Sequence, residues 1–188
     1  MKFWHTFALV VLIVLPAWET AAQTFTEAEA AYKKGDYKTA KKIVFPLAQR
    51  GDPRAQDLLS DMYWSGRGID RDRCESTKWA DKAARQNFGR AQHSMASAYF
   101  SGYGVYQNRE LTYRWVLAAI RSGYKRASED LELFGFELRE SQRLRIRKSM
   151  ATWRAENQPP AQIVRLPNTL VGRLTGYIRG VQPCRYDP

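Results

Sequence analysis

A chain of 188 residues, 44% apolar and 13% aromatic, has the material for one buried core, and this richness in Trp, Tyr and Ala excludes an intrinsically disordered protein. Its formal charge of +11 at pH 7 favours anionic partners such as acidic proteins, phospholipid headgroups or envelope polymers. Two cysteines and two histidines, scattered through the sequence, lack the spacing of a metal site, so no metal is expected.

At the N-terminus Lys2 leads into an apolar run from Phe7 to Leu15, followed by Pro16 and the small residues Thr20, Ala21 and Ala22. The run is far shorter than the ~20 residues a bilayer requires. Residues 1–22 therefore read as a signal peptide cut after Ala22, which makes the mature chain periplasmic or secreted. A retained anchor is the competing reading, because Trp18 and Glu19 are awkward so near a cleavage site. No later segment is long and apolar enough to span, so no transmembrane segment is expected after cleavage. An exported protein seldom meets nucleic acid, and none is expected as a partner.

Next comes a repeat, which organises residues 23–136. Gly66-Arg67-Gly68 recurs as Gly102-Tyr103-Gly104, and the same offset of 36 takes Tyr63 to Tyr99, Leu59 to Met95, Trp79 to Trp115 and Ala83 to Ala119. Ala40, Ser76 and Thr112 extend it to an earlier unit with a shortened loop. Within a unit, Ala55, Leu58, Leu59, Met62 and Tyr63 follow the spacing of one helical face. Asp52-Pro53 and Asn108 suit helix starts, whereas Gly51, Asn87 and Gly123 suit the turns after second helices. The pattern predicts helices near 26–34, 37–50, 53–65, 73–86, 89–101, 109–122 and 125–135.

A closing helix is expected over 137–157, with Ile146, Met150 and Trp153 buried and Arg143, Arg147 and Arg154 along one flank, until Pro159-Pro160 stops it. Residues 158–188 form a basic tail containing Pro and Gly, read as extended or weakly β and packed through Ile163, Leu170 and Ile178. Charge is uneven: residues 23–136 carry 19 Lys/Arg against 14 Asp/Glu, and residues 137–188 carry 10 against 4. Arg143, Arg147 and Arg154, joined by Arg165 and Arg173, would form an anionic-surface site if they gathered on one face.

Catalytic chemistry has little material here. Outside the leader the one histidine is His93, on a first helix where an exposed polar position is expected, and no nucleophile motif accompanies it. The glycine pairs follow helices rather than strands and lack a phosphate-loop pattern, so no cofactor is expected. Cys74 and Cys184 can pair with each other, remain two thiols, or link two chains; an oxidising compartment permits the first.

The order Ala55 to Leu59, Tyr63-x-x-Gly66-x-Gly68-Ile69, Trp79-x-x-x-Ala83-Ala84, then Ala91 to Met95, Tyr99-x-x-Gly102-x-Gly104-Val105, Trp115-x-x-Ala118-Ala119 resembles Sel1-like repeats, relatives of the tetratricopeptide repeat. The resemblance covers about residues 28–135 and implies an all-α solenoid, a right-handed superhelix of antiparallel helix-turn-helix units. It further implies an adaptor or scaffold for a protein partner rather than an enzyme. The partner-facing candidates are Asp57, Asp61, His93, Ser97, Tyr103 and Tyr106, on the inner helices and loop tips, the tyrosines being favoured for their contact area. The alternative is an anionic envelope polymer or membrane surface held by the basic C-terminal region.

Overall fold

The computed structural model describes residues 17–163, 165–166 and 184–185, with side chains from Phe25 to Ile163. Paired helices run in chain order: α1 (Ala17–Lys33) with α2 (Tyr37–Gln49), α3 (Pro53–Ser65) with α4 (Arg73–Arg85), and α5 (Gly89–Ser101) with α6 (Arg109–Arg121). Two single-turn helices, α7 (Lys125–Glu129) and α8 (Leu131–Gly135), and then α9 (Glu140–Ser149), close the array against α6. From α1 to α8 each helix packs on the next, which is the architecture of an all-α solenoid.

The same capping chemistry starts the second helix of every unit. Asp36, Asp72 and Asn108, spaced by 36, each accept a backbone N–H from the first turn: Thr39, then Cys74 and Glu75, then Leu111, at 2.8–3.1 Å. Such a cap stabilises a helix by about 1 kcal/mol relative to alanine. Asp52 caps α3 through Arg54 and Ala55, with Pro53 at the first helical position. Asn87 takes a φ of 63° at the turn where its counterparts are Gly51 and Gly123, an αL position that asparagine tolerates better than other side chains.

One buried glutamine per unit fastens consecutive hairpins. Gln56 donates to the Ala48 carbonyl and Gln92 to the Ala84 carbonyl, both at 3.2 Å, so a last-turn carbonyl of each of these second helices, which already accepts the Gly51 or Asn87 N–H, gains a donor from the next unit. Gln86 and Ser122, again 36 apart, donate to the side-chain oxygens of Gln56 and Gln92 at 2.8 Å. The apolar core runs alongside, from Ala28, Val44, Leu58 and Trp79 to Met95, Trp115, Ile146 and Trp153. Trp153 stands edge-on to Trp115 at 5.1 Å, so the closing segment covers the last full unit with an aromatic pair.

The loop between α3 and α4 folds back onto the preceding hairpin, and Gly68 makes that possible. Its φ is +74°, and a Cβ there would lie 2.7 Å from the Tyr37 carbonyl oxygen. Gly68→Ala is expected to cost about 2 kcal/mol or more, from the left-handed backbone and the clash together, read as a lowered urea midpoint. Gly35→Ala supplies a contrast, since it has the same kind of φ but open space around the added carbon.

Three expectations are corrected. The helix expected over 125–135 breaks at Asp130, whose carboxylate is drawn to His93 at 2.8 Å and to Arg126 at 3.6 Å. The closing helix spans Glu140–Ser149 instead of 137–157. Beyond it Arg121 donates to the carbonyls of Met150 and Trp153 at 2.9 and 3.2 Å, taking acceptors that a continued helix would use, so the chain reaches Trp153 through turns. Lastly, α1 begins at Ala17, upstream of the expected 26.

The segment after Glu156 crosses α4 as a strap. Arg85 donates to the carbonyls of Gln158 and Glu156, and the Ala161 N–H donates to Asp81 at 3.3 Å. Burial lifts the Asp81 carboxyl above its ordinary pKa, against the opposing pull of that N–H and of Arg85. Ile163 is half-buried beside Asp81 and Arg85. Farther on, β1 (Arg165–Leu166) pairs in parallel with β2 (Cys184–Arg185). Leu170, Arg173 and Ile178 lie outside the described residues.

Candidate functional site

First helices of successive units stand side by side, so α3, α5 and α7 carry their polar residues on one shared face. Asp57 and Asp61, one turn apart on α3, both reach Arg90 at the start of α5, with Asp61 at 2.5 Å. One unit later His93 of α5 reaches Asp130, just beyond α7, at 2.8 Å. Two carboxylates therefore share one guanidinium, and the array continues as a histidine–carboxylate pair.

These contacts revise two of the partner-facing candidates. Asp57 is 1% exposed and cannot touch a partner directly. Burial and the charge of Asp61 push its carboxyl up to about 7 against the attraction of Arg90. His93, expected to be an exposed polar position, is largely covered and packs against the rings of Tyr124 and Phe134 at 5.4 and 5.6 Å. It has an acidic neighbour, but it does not line the cavity described next.

Asp61, Ser97 and Tyr103 do come together. They line a cavity of about 290 Å³ between α3 and α5, floored by Ser60, Ser76, Thr77, Ala80 and Ala98 and walled by Ser94 and Trp64. Trp64 is 41% exposed and meets Tyr103 edge to face at 5.2 Å. Tyr103 is held by its own backbone, since the Thr77 hydroxyl donates to its carbonyl at 3.1 Å. Arg73 stacks over both rings, at 5.2 Å from Trp64 and 4.6 Å from Tyr103. The same stacking recurs 36 residues later, Arg109 over Phe100 at 4.5 Å, which makes it a device of the repeat.

Tyr106 stands apart from that group. It is exposed and borders a second cavity of about 310 Å³, where Trp115 and Leu111 face Pro159 and Pro160 of the strap. The C-terminal arginines are spent individually. Arg143 pairs with Glu132 at 3.1 Å and Glu140 at 2.9 Å, Arg147 donates to the Tyr113 hydroxyl at 2.9 Å, and Arg154 donates to the carbonyls of Ala151 and Trp153 at 3.0 Å. Each of the three guanidinium groups thus has an acceptor within the chain.

Sequence reasoning missed Trp64 and Arg90. Arg90 was recoverable from the repeat, because Arg54, Arg90 and Arg126 recur every 36 residues and each pairs with an aspartate. Trp64 aligns with Phe100 at the same interval, an aromatic position in the last turn of both α3 and α5. Cys74, buried on the first turn of α4, is disulfide-bonded. The chain's other cysteine, Cys184, is in β2, and its side chain lies outside the described residues. Among the described residues no helix is long and apolar enough to cross a membrane, and no three His, Cys, Asp or Glu side chains form a metal-ligand group.

Comparison with known proteins agrees with this geometry. A model described as the Sel1 repeat matches residues 53–88 and 89–124, the hairpins α3–α4 and α5–α6. Among solved structures, a protective antigen of uropathogenic Escherichia coli displaying an SLR fold superposes with a TM-score of 0.63 at 21% identity, over 70% of this chain and 29% of that one. The chain thus spans under a third of that protein's length. A Sel1 repeat protein from Oxalobacter formigenes gives a TM-score of 0.54 at 31% identity, over 60% of this chain and 87% of that one. None of the curated proteins compared with it matches. Both hairpins carry the repeat at its 36-residue period, and a relative 31% identical is covered over 87% of its length: the chain belongs to the Sel1 repeat family.

Proposed function

We propose that the chain is an exported interaction module that holds a protein partner on the face shared by α3, α5 and α7. Sel1 repeat proteins generally mediate protein–protein interaction, which sets the class. The observation that carries the reading is the cavity between α3 and α5, open beneath an exposed Trp64 that is braced by Tyr103. A rigid aromatic pair beside a polar recess supplies contact area at small entropic cost, as interaction hot spots do. Export is supported by the leader-like run Phe7–Leu15 and by the oxidised state of Cys74. In this reading Cys74 bonds Cys184 and ties the tail to the second full hairpin.

The test is a crosslinking pull-down of the full chain against an envelope fraction, at low and high salt, beside a Trp64→Ala, Tyr103→Ala double variant. A defined protein that survives high salt and is lost in the variant is the expected result. Recovery of lipid or polymer alone, released by salt and indifferent to the two aromatics, would transfer the function to the basic C-terminal region.

A further inference from the structure

The chemistry of the α3–α5 cavity is narrower than its size suggests, because its hydroxyl protons are already committed inward. The Ser60 hydroxyl donates to the Ser76 carbonyl at 2.8 Å, which leaves the Ser76 hydroxyl to donate to the Ser60 oxygen at 3.2 Å. The single Thr77 hydroxyl proton is shared between the carbonyls of Arg73 and Tyr103, at 2.9 and 3.1 Å. Ser94 and Ser97 donate back along α5 to the carbonyls of Arg90 and His93, both at 3.2 Å. What these side chains turn toward the void is therefore oxygen lone pairs. A hydroxyl whose proton is spent can still accept from a ligand.

The ionised groups lean the same way. Asp61, 38% exposed, lines the cavity, and the guanidinium of Arg90 beside it is divided between Asp61 and the buried Asp57. Above about pH 7, where Asp57 is ionised as well, two carboxylates face this one cation and leave negative charge at the edge of the recess. Ala80 and Ala98 offer an apolar strip, and Trp64 and Tyr103 offer ring faces and edges at the mouth. Arg73, stacked over those rings, does not line the void. Acceptors, a carboxylate, an apolar strip and aromatic walls together describe a receptor for a cation on an alkyl stem.

We propose that this cavity receives one lysine or arginine side chain of the partner, with Asp61 as its counter-charge, the Ser94 and Ser97 oxygens as acceptors, and Trp64 and Tyr103 as its walls. The proposal rests on the reading that the shared face holds a protein, and it adds which residue type is read there. An acidic or purely apolar anchor would meet the wrong partners: the first faces Asp61 and a ring of lone pairs, and the second strips water from them without replacing their hydrogen bonds.

The test uses the full, disulfide-intact chain and four small probes: the N-acetyl methylamides of lysine, arginine, norleucine and glutamate, titrated while the Trp64 indole N–H and the Ser97 amide are followed by nuclear magnetic resonance. The lysine or arginine probe should shift both signals saturably, with affinity at least about tenfold above norleucine and glutamate. Asp61→Asn should remove most of that preference, and Ser97→Leu, which fills the recess but spares the Asp61–Arg90 pair, should abolish the shifts. Equal binding of norleucine would make the cavity an apolar slot, and preference for glutamate would make it an anion site of Arg90. Silence of the Trp64 signal with every probe would leave no receptor here. Each of these outcomes overturns the proposal, and the wild-type comparison of probes decides it even if a variant fails to fold. A partner captured in the pull-down while lysine and arginine probes fail would sink this assignment and leave the broader function standing.

Discussion

Reduction of the disulfide is expected to lower the stability of the whole array by about 4 to 5 kcal/mol, the chain-entropy value for a closed loop of roughly a hundred residues. In the proposed pairing the loop runs from Cys74 to Cys184. Cys74 is buried within the first turn of α4, beside the Asp72 cap, so the tether acts on the middle of the repeat array rather than on a fraying end. Releasing it weakens the strap, while the Trp115–Trp153 contact and the glutamine links of the hairpins remain. Urea melts with and without reductant, next to a Cys184→Ser variant, give the measurement. The reduced wild type and the variant should coincide, both shifted to lower urea. Coincidence of the reduced and oxidised wild type would show that the bond contributes nothing to holding the array together.

The second large effect is a pH dependence centred on Asp57. Its folded-state carboxyl titrates at about 7 against an ordinary 3.8. The folded protein therefore keeps this proton where the unfolded chain has lost it, and the associated stability is present below pH 4 and disappears as pH rises to 7. A shift of this size corresponds to an effect on the order of 4 kcal/mol as an upper value. Asp36 and Asp52, whose folded pKa values are lowered, work in the opposite sense at acidic pH, so the informative quantity is the difference between wild type and Asp57→Asn. Asparagine keeps the shape of the protonated acid, and the variant should match wild type below about pH 4 and exceed it increasingly up to pH 8. A variant less stable than wild type at pH 8 would mean that the ion pair with Arg90 outweighs the burial of the charge.

Much of the architecture was readable before any coordinates, for a definite reason. Sel1 units of constant length place equivalent residues at one spacing, so Ala55, Ala91 and Ala127, or Trp79 and Trp115, report the same packing position repeatedly. Local rules then sufficed for the ends: Asp52-Pro53, Asn108 and the αL residues Gly51, Asn87 and Gly123 stand where capping chemistry puts them. The closing region was legible only in its buried stripe, Ile146, Met150 and Trp153. Its helix ends early because Arg121, 29 residues before Met150, takes the carbonyls, a contact that no local pattern encodes.

The candidate site was legible in part, for a related reason. Asp61, Ser97 and Tyr103 meet at one cavity because inner-helix positions and the loop tip after α5 converge, as the repeat implies. The fate of Asp57 and His93 was hidden, because polarity suggested exposure and burial was decided by partners in the neighbouring unit, Arg90 and Asp130. The contacts of the C-terminal arginines were hidden for the same cause. Helical spacing placed Arg143 and Arg147 near one another, but Glu132, Glu140 and Tyr113 were already waiting for them.

The strap gives the molecule an order of assembly. Hairpins of a solenoid need only their sequence neighbours, so the α1–α6 pairs can form as each one emerges. Arg85 and Asp81 instead wait for Glu156, Gln158 and Ala161, residues 71 to 80 positions later. Closing so long a loop is slow, so the strap docks last, onto an array already standing. A nascent chain halted before Glu156 would hold all the paired helices and α9 while its α4 surface still lacked this cover.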